Sequence, residues 1–264
     1  MKLKIGRIPY ANLFPIFYML EKNCECSAYE FVEGVPSVLN KMLRDGELDV
    51  SPASSIEYLR NKDIYDIIEG HSISSKGAIG SIFLFSKKPI QELEGKTISI
   101  TSQTDTSVAL LNIILQKFFD IKCELIAHQN PNESGSDAFL LIGDDAMRHN
   151  AELKSEPNCQ QYVFDLGDIW YEKTGLPFVF ALWIVRKDIP EEKRTLLERF
   201  INDLNEAKAS AFRSFPEIAS SSPLKYFMTE HEILSYWQKI DYDLTDEHKK
   251  GFDLFGECLE ALRI

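Results

Sequence analysis

Five short segments combine residue types and spacings that can do chemistry. In GRIPYANLFP, residues 6–15, Arg7 offers a permanently charged fork to a carboxylate, and Asn12 offers a donor and an acceptor on a short stem. The plainer reading is that Asn12 caps a helix and Arg7 pairs with a surface acid. In SQTDTSVALL, residues 102–111, hydroxyls crowd the start of a helix. Its free N–H groups and partial positive charge make Thr106 and Ser107 an anion seat, although capping by one hydroxyl needs the same residues. GAIGSIFLFSK, residues 77–87, sets Ser81 at the head of a strand behind glycines that permit close backbone approach. Ser54 and Ser55 hold a similar place after another strand, and serines at strand ends are commonly structural. LLIGDDAM, residues 140–147, ends a strand in Gly143, Asp144 and Asp145. Asp144 can orient a hydroxyl or take a proton, or both carboxylates stand solvated in an Asx turn. Lastly, DLGDIWYEKTGLPFVFALW, residues 165–183, supplies a hinge and an apolar wall, unless Phe180 and Trp183 are simply core.

Familiar cofactor signatures are missing. The five histidines show no paired metal spacing, and Cys24-Glu25-Cys26 is one residue short of a zinc knuckle, so no metal site is expected. Gly95-Lys96-Thr97 imitates the end of a phosphate loop, but Ile90 stands where its first glycine belongs, and the segment enters a strand. Neither G-x-G-x-x-G nor G-x-S-x-G occurs.

The elements that must position these residues alternate between strand and helix. Leu3 and Ile5 alternate with polar neighbours, an apolar stretch from Leu13 to Leu20 follows, and Val38, Leu39, Met42 and Leu43 fall at helical spacing before Gly46 and a strand from Leu48 to Ser51. Further strands are expected at Ser81–Ser86, Thr97–Thr101, 123–126, 138–142 and Phe178–Val185, the last buried on both faces. Val108, Leu111, Leu115 and Phe118 stripe one helix. Asp188 with Glu191 and Thr229 with Glu232 read as capping boxes, and Phe252, Phe255, Leu259 and Leu262 stripe a final helix. The polar run Gln129–Asp137 reads as an exposed loop. The class is α/β, with an inserted lobe at 89–185 and a discontinuous outer lobe at 1–88 and 186–264.

Composition narrows the function. Of 264 residues 44% are hydrophobic and 27% charged, which suits a globular chain with a large core. With 29 basic and 41 acidic residues the net charge is −12, which disfavours nucleic acid and anionic membranes while leaving a small anion possible at a local cluster of donors. Five scattered cysteines, no secretory signal and no apolar run approaching about 20 residues place the chain in the cytoplasm by expectation.

Taken in order, GRIPYANLFP, GELDVSPASSIEYLRN, GAIGSIFLFSK, TDTSVALL, LLIGDDAM and DLGDIWYEKTGLPFVFALW resemble the chorismate dehydratase family of the futalosine route to menaquinone, over residues 5–187. The resemblance implies a two-lobed fold like that of type II periplasmic binding proteins, with a ligand cleft between the lobes. It also implies conversion of the dianion chorismate to 3-[(1-carboxyvinyl)oxy]benzoate and water without a cofactor. By motif it gives Asn12 and Asp144 as catalytic, with Ser81, Thr106 and Ser107 as substrate contacts and Arg7 and Tyr10 as weaker ones; Ser54 joins the substrate contacts by its place after a strand. Asp105 departs by adding a negative charge beside the anion seat. The competing expectations are the sister enzyme that forms dihydroxynaphthoate, which would use a histidine in the second lobe, and a noncatalytic small-anion binding protein. Lobe closure, with hinges at Ser86–Pro89 and Leu182–Lys187, is expected of the architecture; the oligomeric state is not legible.

Overall fold

A computed structural model describes residues 2–101, 105–155 and 161–263, so Ser102–Thr104 of the hydroxyl-rich segment and Cys159 lie outside the described residues. The first half of the chain runs β1 (Leu3–Arg7), α1 (Phe14–Asn23), β2 (Tyr29–Glu33), α2 (Pro36–Arg44), β3 (Val50–Ser54), α3 (Ser55–Arg60), β4 (Tyr65–Ser75), β5 (Ile82–Ser86), β6 (Thr97–Ile100) and α4 (Asp105–Ile113). Then come β7 (Glu124–Ala127), β8 (Ala138–Ile142), α5 (Gly143–Ser155), β9 (Tyr162–Asp165), α6 (Leu166–Thr174), β10 (Phe178–Arg186), α7 (Glu191–Ser221), α8 (Glu230–Trp237) and α9 (Asp246–Leu262).

These elements form two compact units. The first takes the chain up to Ile73, Ala181–Gln238 and Tyr242–Leu244; the second takes Ser74–Phe180, Lys239–Asp241 and the chain from Thr245 onward. The chain crosses between them inside β4 and again inside β10. Sequence reading sets the divisions instead at 88/89 and 185/186 and leaves the whole C-terminal segment in the outer lobe. Two packing facts move residues to the second unit. Strand β5 lies between β8 and β9 in the second sheet, and Phe255 of α9 packs edge-on against Phe178 at 4.9 Å and Trp170 at 6.4 Å.

In the first unit the sheet order is β2-β1-β3-β10-β4. Strand β1 is parallel to β2 and β3, while β10 is antiparallel to β3, with Trp183 opposite Pro52. Leu3 and Ile5 are buried and Lys4 between them is not, as the alternation requires. Gly6 permits close strand packing, because a Cβ there would stand 2.3 Å from Ser51 Oγ. Trp183 meets Phe17 of α1 and Phe200 of α7 at 5.7 and 5.8 Å, so aromatic rings fill the space between sheet and helices. The strand read from Leu48 begins at Val50, although Leu48 is itself buried.

Of the two capping boxes expected, one forms. Thr229 and Glu232 form the expected box at α8. Asp188 does not cap α7, whose N-cap is Pro190 without a side-chain bond. The Arg186 guanidinium holds Asp188 through two bonds of 2.7 and 2.6 Å, and such a two-pronged charged pair outcompetes a single capping bond.

In the second unit the order is β7-β6-β8-β5-β9, with β6 parallel to β7 and β8, and β5 antiparallel to β8 and β9. Helix α4 buries a wider face than its stripe implies, including Ala109, Leu110, Leu111 and Ile113, and runs on into a π-helical turn at Ile114–Phe118. Gly95 turns the chain at φ +67° into β6, which is strand entry and not a phosphate loop. Among the described residues no helix is long and apolar enough to cross a membrane.

Candidate functional site

Topology gathers the candidate residues at one edge of each sheet. In the first unit the parallel strands β1 and β3 end together, at Arg7 and Ser54, and the edge beyond parallel strand ends is where open α/β sheets place ligands. The loop after β1 is held through its backbone carbonyls. Tyr10 O accepts from the N–H groups of Leu13 and Phe14, Ala11 O accepts from Trp237 Nε1 at 2.9 Å, and Asn12 O accepts from the Tyr242 hydroxyl at 2.7 Å. Trp237 and Tyr242 are buried, and burial pushes the Tyr242 hydroxyl well above its usual range, so it stays a donor. Neither residue stands out in the sequence; only a fold that brings α8 and Tyr242 under this loop reveals them.

Asn12 is not the helix cap. Leu13 takes that position, without a side-chain bond, and Asn12 Oδ1 is buried with no hydrogen-bond partner. Leaving a buried acceptor unpaired costs roughly 1–3 kcal/mol, so this oxygen is available to accept a hydrogen bond. A second orphaned oxygen, Asn40 Oδ1, belongs to a side chain whose Nδ2 lies 3.5 Å from Ser54 Oγ. Asn40 went unremarked in the sequence, though a polar residue beside Leu39 on the buried face of a helix was the available signal. Arg7 is committed otherwise: it pairs with Glu21 and lies 3.9 Å from Glu33, over the Phe17 ring.

In the second unit, β6, β8 and β9 end at one edge, and antiparallel β5 begins there. That edge therefore carries Thr106 and Ser107 in the first turn of α4, Asp144 in the first turn of α5, Ser81 before β5, and Asp165 before α6. Thr106, Ser107 and Ser81 are buried, Asp144 is half-buried, and Asp105 is exposed. The N–H of Gly143 donates to Ser81 O at 2.7 Å, which ties Ser81 to the helix turn bearing Asp144. Three helix N-termini face this edge and bring backbone N–H donors to it, alongside the carboxylates of Asp105, Asp144, Asp145, Asp165 and Asp168 in the same first turns and cap.

The Asp165 carboxylate accepts from four backbone N–H groups: Gly80 at 2.7 Å, Gly167 at 2.9 Å, Ile79 at 3.1 Å and Asp168 at 3.3 Å. Burial pushes its pKa up and the four donors pull it back. Phe180 and Trp183 are core. Among the described residues, no three His, Cys, Asp or Glu side chains gather as a metal site. His149 lies within α5, its ring 4.7 and 5.3 Å from those of Phe85 and Phe139 and its Nε2 buried without a partner.

Comparison with known proteins adds a lineage to this geometry. A family model described as "Menaquinone biosynthesis" matches residues 3–261. A chorismate dehydratase of Thermus thermophilus is 27% identical over 97% of this chain and 94% of its own. A 1,4-dihydroxy-6-naphtoate synthase of the same organism is 25% identical over 72% of this chain and 68% of its own. Among solved structures, a Candida albicans protein described as having the generic periplasmic binding protein fold superposes with a TM-score of 0.68 at 12% identity, covering all of this chain and 95% of that one. That likeness shows the fold.

Proposed function

The chain belongs to the menaquinone biosynthesis family, and from that premise we propose that it is a chorismate dehydratase, removing water from chorismate to leave 3-[(1-carboxyvinyl)oxy]benzoate. The observation that carries this reading is the extent of the likeness to a relative of that name, which runs nearly end to end on both chains. The orphaned oxygen of Asn12 supports it, since a substrate hydroxyl is the kind of donor that atom lacks.

The reaction asks little of the protein. The C3–H bond breaks, its electron pair completes the aromatic ring, and the C4–O bond breaks to release hydroxide that leaves with the proton as water. Aromatisation supplies the driving force. In this proposal Asn12 holds the departing hydroxyl. The enolpyruvyl carboxylate of the substrate takes the C3 proton, with Asp144 as the competing base. Thr106 and Ser107, at the N-terminus of α4, receive the ring carboxylate and stabilise charge that develops in conjugation with it. Ser54 and Ser81 are further contacts, and Tyr10 and Arg7 weaker ones, Arg7 because its guanidinium already serves Glu21.

The test is direct. Purified protein is mixed with chorismate without added metal or nucleotide, and products are followed by chromatography and proton NMR. The aromatic enol ether is expected. Chorismate that stays intact while raising the melting temperature would replace this reading with a binding protein. If chorismate has neither effect, the sister enzyme's substrate becomes the one to try.

A further inference from the structure

The segment between β4 and β5 holds two glycines in the left-handed region, Gly77 at φ +102° and Gly80 at φ +77°. These turns aim the N–H groups of Ile79 and Gly80 at one buried carboxylate, that of Asp165. The same carboxylate caps α6 through Gly167 and Asp168. Ser75 Oγ donates to Gly77 O at 2.7 Å, and Gly167 fits below both, since a Cβ there would stand 2.8 Å from each of those oxygens. At the far end of the segment Ser81 O accepts from Gly143 N–H, one residue before Asp144. One carboxylate is thus the shared anchor of a helix N-terminus and of the loop that ends in Ser81.

We propose that Asp165 is a positioning residue for substrate binding: by bonding Ile79 and Gly80 it fixes the Gly77–Ser81 loop, and through it Ser81 and the Gly143–Asp144 turn. This rests on the reading that Ser81 and Asp144 meet the substrate. A capping role alone would be complete with Gly167 and Asp168 and would not need the loop's two N–H groups, whose bond to Gly80 is the shortest of the four.

Asp165→Asn separates the two roles, because an amide oxygen in place of Oδ1 still serves Ile79, Gly167 and Asp168, while the amide nitrogen faces Gly80 N–H donor to donor. The expected result is a KM for chorismate raised about tenfold, with faster amide exchange at Ile79 and Gly80 and no change in the first unit. In a double-mutant cycle Asp165→Asn and Ser81→Ala are less than additive, because part of the Asp165 effect runs through the Ser81 hydroxyl and the rest through the Gly143–Asp144 turn, which Ser81→Ala keeps. Loss of folded protein alone lowers kcat and leaves KM unchanged, and that outcome overturns the proposal, as do fully additive effects in the cycle. Gly167→Ala keeps the carboxylate and pushes on the loop from below, so it too must raise KM; should Asp165→Asn not fold, this variant decides. Wild-type protein without turnover on chorismate defeats the underlying reading instead, and is seen before any variant is made.

Discussion

At the scale of single residues, Asn12 has a side-chain oxygen that the rest of the described chain does not satisfy. Its oxygen is buried and unpaired, while its own backbone carbonyl and that of Ala11 are held by buried Tyr242 and Trp237. An unpaired buried acceptor works against stability, and removing it is close to neutral. Asn12→Ala is therefore expected to leave the melting temperature within about 2 °C of the wild type and to lower turnover of chorismate at least about a hundredfold. Asn12→Asp should also abolish turnover, because it sets a like charge beside a dianion. A fully active Asp variant removes Asn12 from the mechanism, and a large thermal loss in the Ala variant shows that its side chain is structural. The sequence displayed Asn12 as either cap or ligand. The structure removes the cap reading, since Leu13 is the N-cap, and capping depends on backbone angles that residue type does not dictate.

At the scale of elements, the hydrophobic pattern located most helices and the buried strands, since burial of one face is local information. Strands β2, β4 and β9 were given no span. The first is a short run with one fully buried residue, and the second bends through Gly70 at φ +77°, so each of these two is held as a strand by its sheet neighbours. The capping pairs divide the same way: Thr229–Glu232 formed, whereas Asp188 was taken by Arg186, a partner contributed by the end of β10. Helix α9 gives the element-scale prediction. A Cβ on Gly251 would stand 2.0 Å from Pro177 O, which is backbone and cannot swing aside, so α9 must move away from the segment entering β10. Gly251→Ala is expected to destabilise the protein by about 2 kcal/mol or more, read as a lower urea midpoint. An unchanged midpoint would mean that α9 is not seated against Pro177.

At the scale of the whole molecule, stability is tied to pH through a buried histidine. His71 Nε2 meets Asn205 Oδ1 at 2.9 Å, and burial, reinforced by Lys208 and opposed by Asn205 and Asp243, pushes its pKa down to about 4. The unfolded chain binds this proton near pH 6.5, so between pH 6.5 and 4 it holds more protons than the folded one. Stability from neutral His71 is present above that window and is lost as pH falls through it, by on the order of 3 kcal/mol in full. Urea midpoints at pH 7 and pH 4 should therefore fall further for the wild type than for His71→Gln; parallel declines would show that His71 is not a source of acid sensitivity. The amino-acid sequence by itself determined the α/β class, the negative field that disfavours nucleic acid, the order of the candidate motifs and the family they resemble, because all of these are written in composition and in local pattern. Tertiary structure alone decided which strands are neighbours, and so gave β5 and α9 to the second unit, seated Trp237 and Tyr242 beneath Asn12, and brought Ile79 and Gly80 to Asp165. Each of those contacts joins residues far apart along the chain, and such pairings are fixed by the packing of whole faces, which no short window of sequence contains.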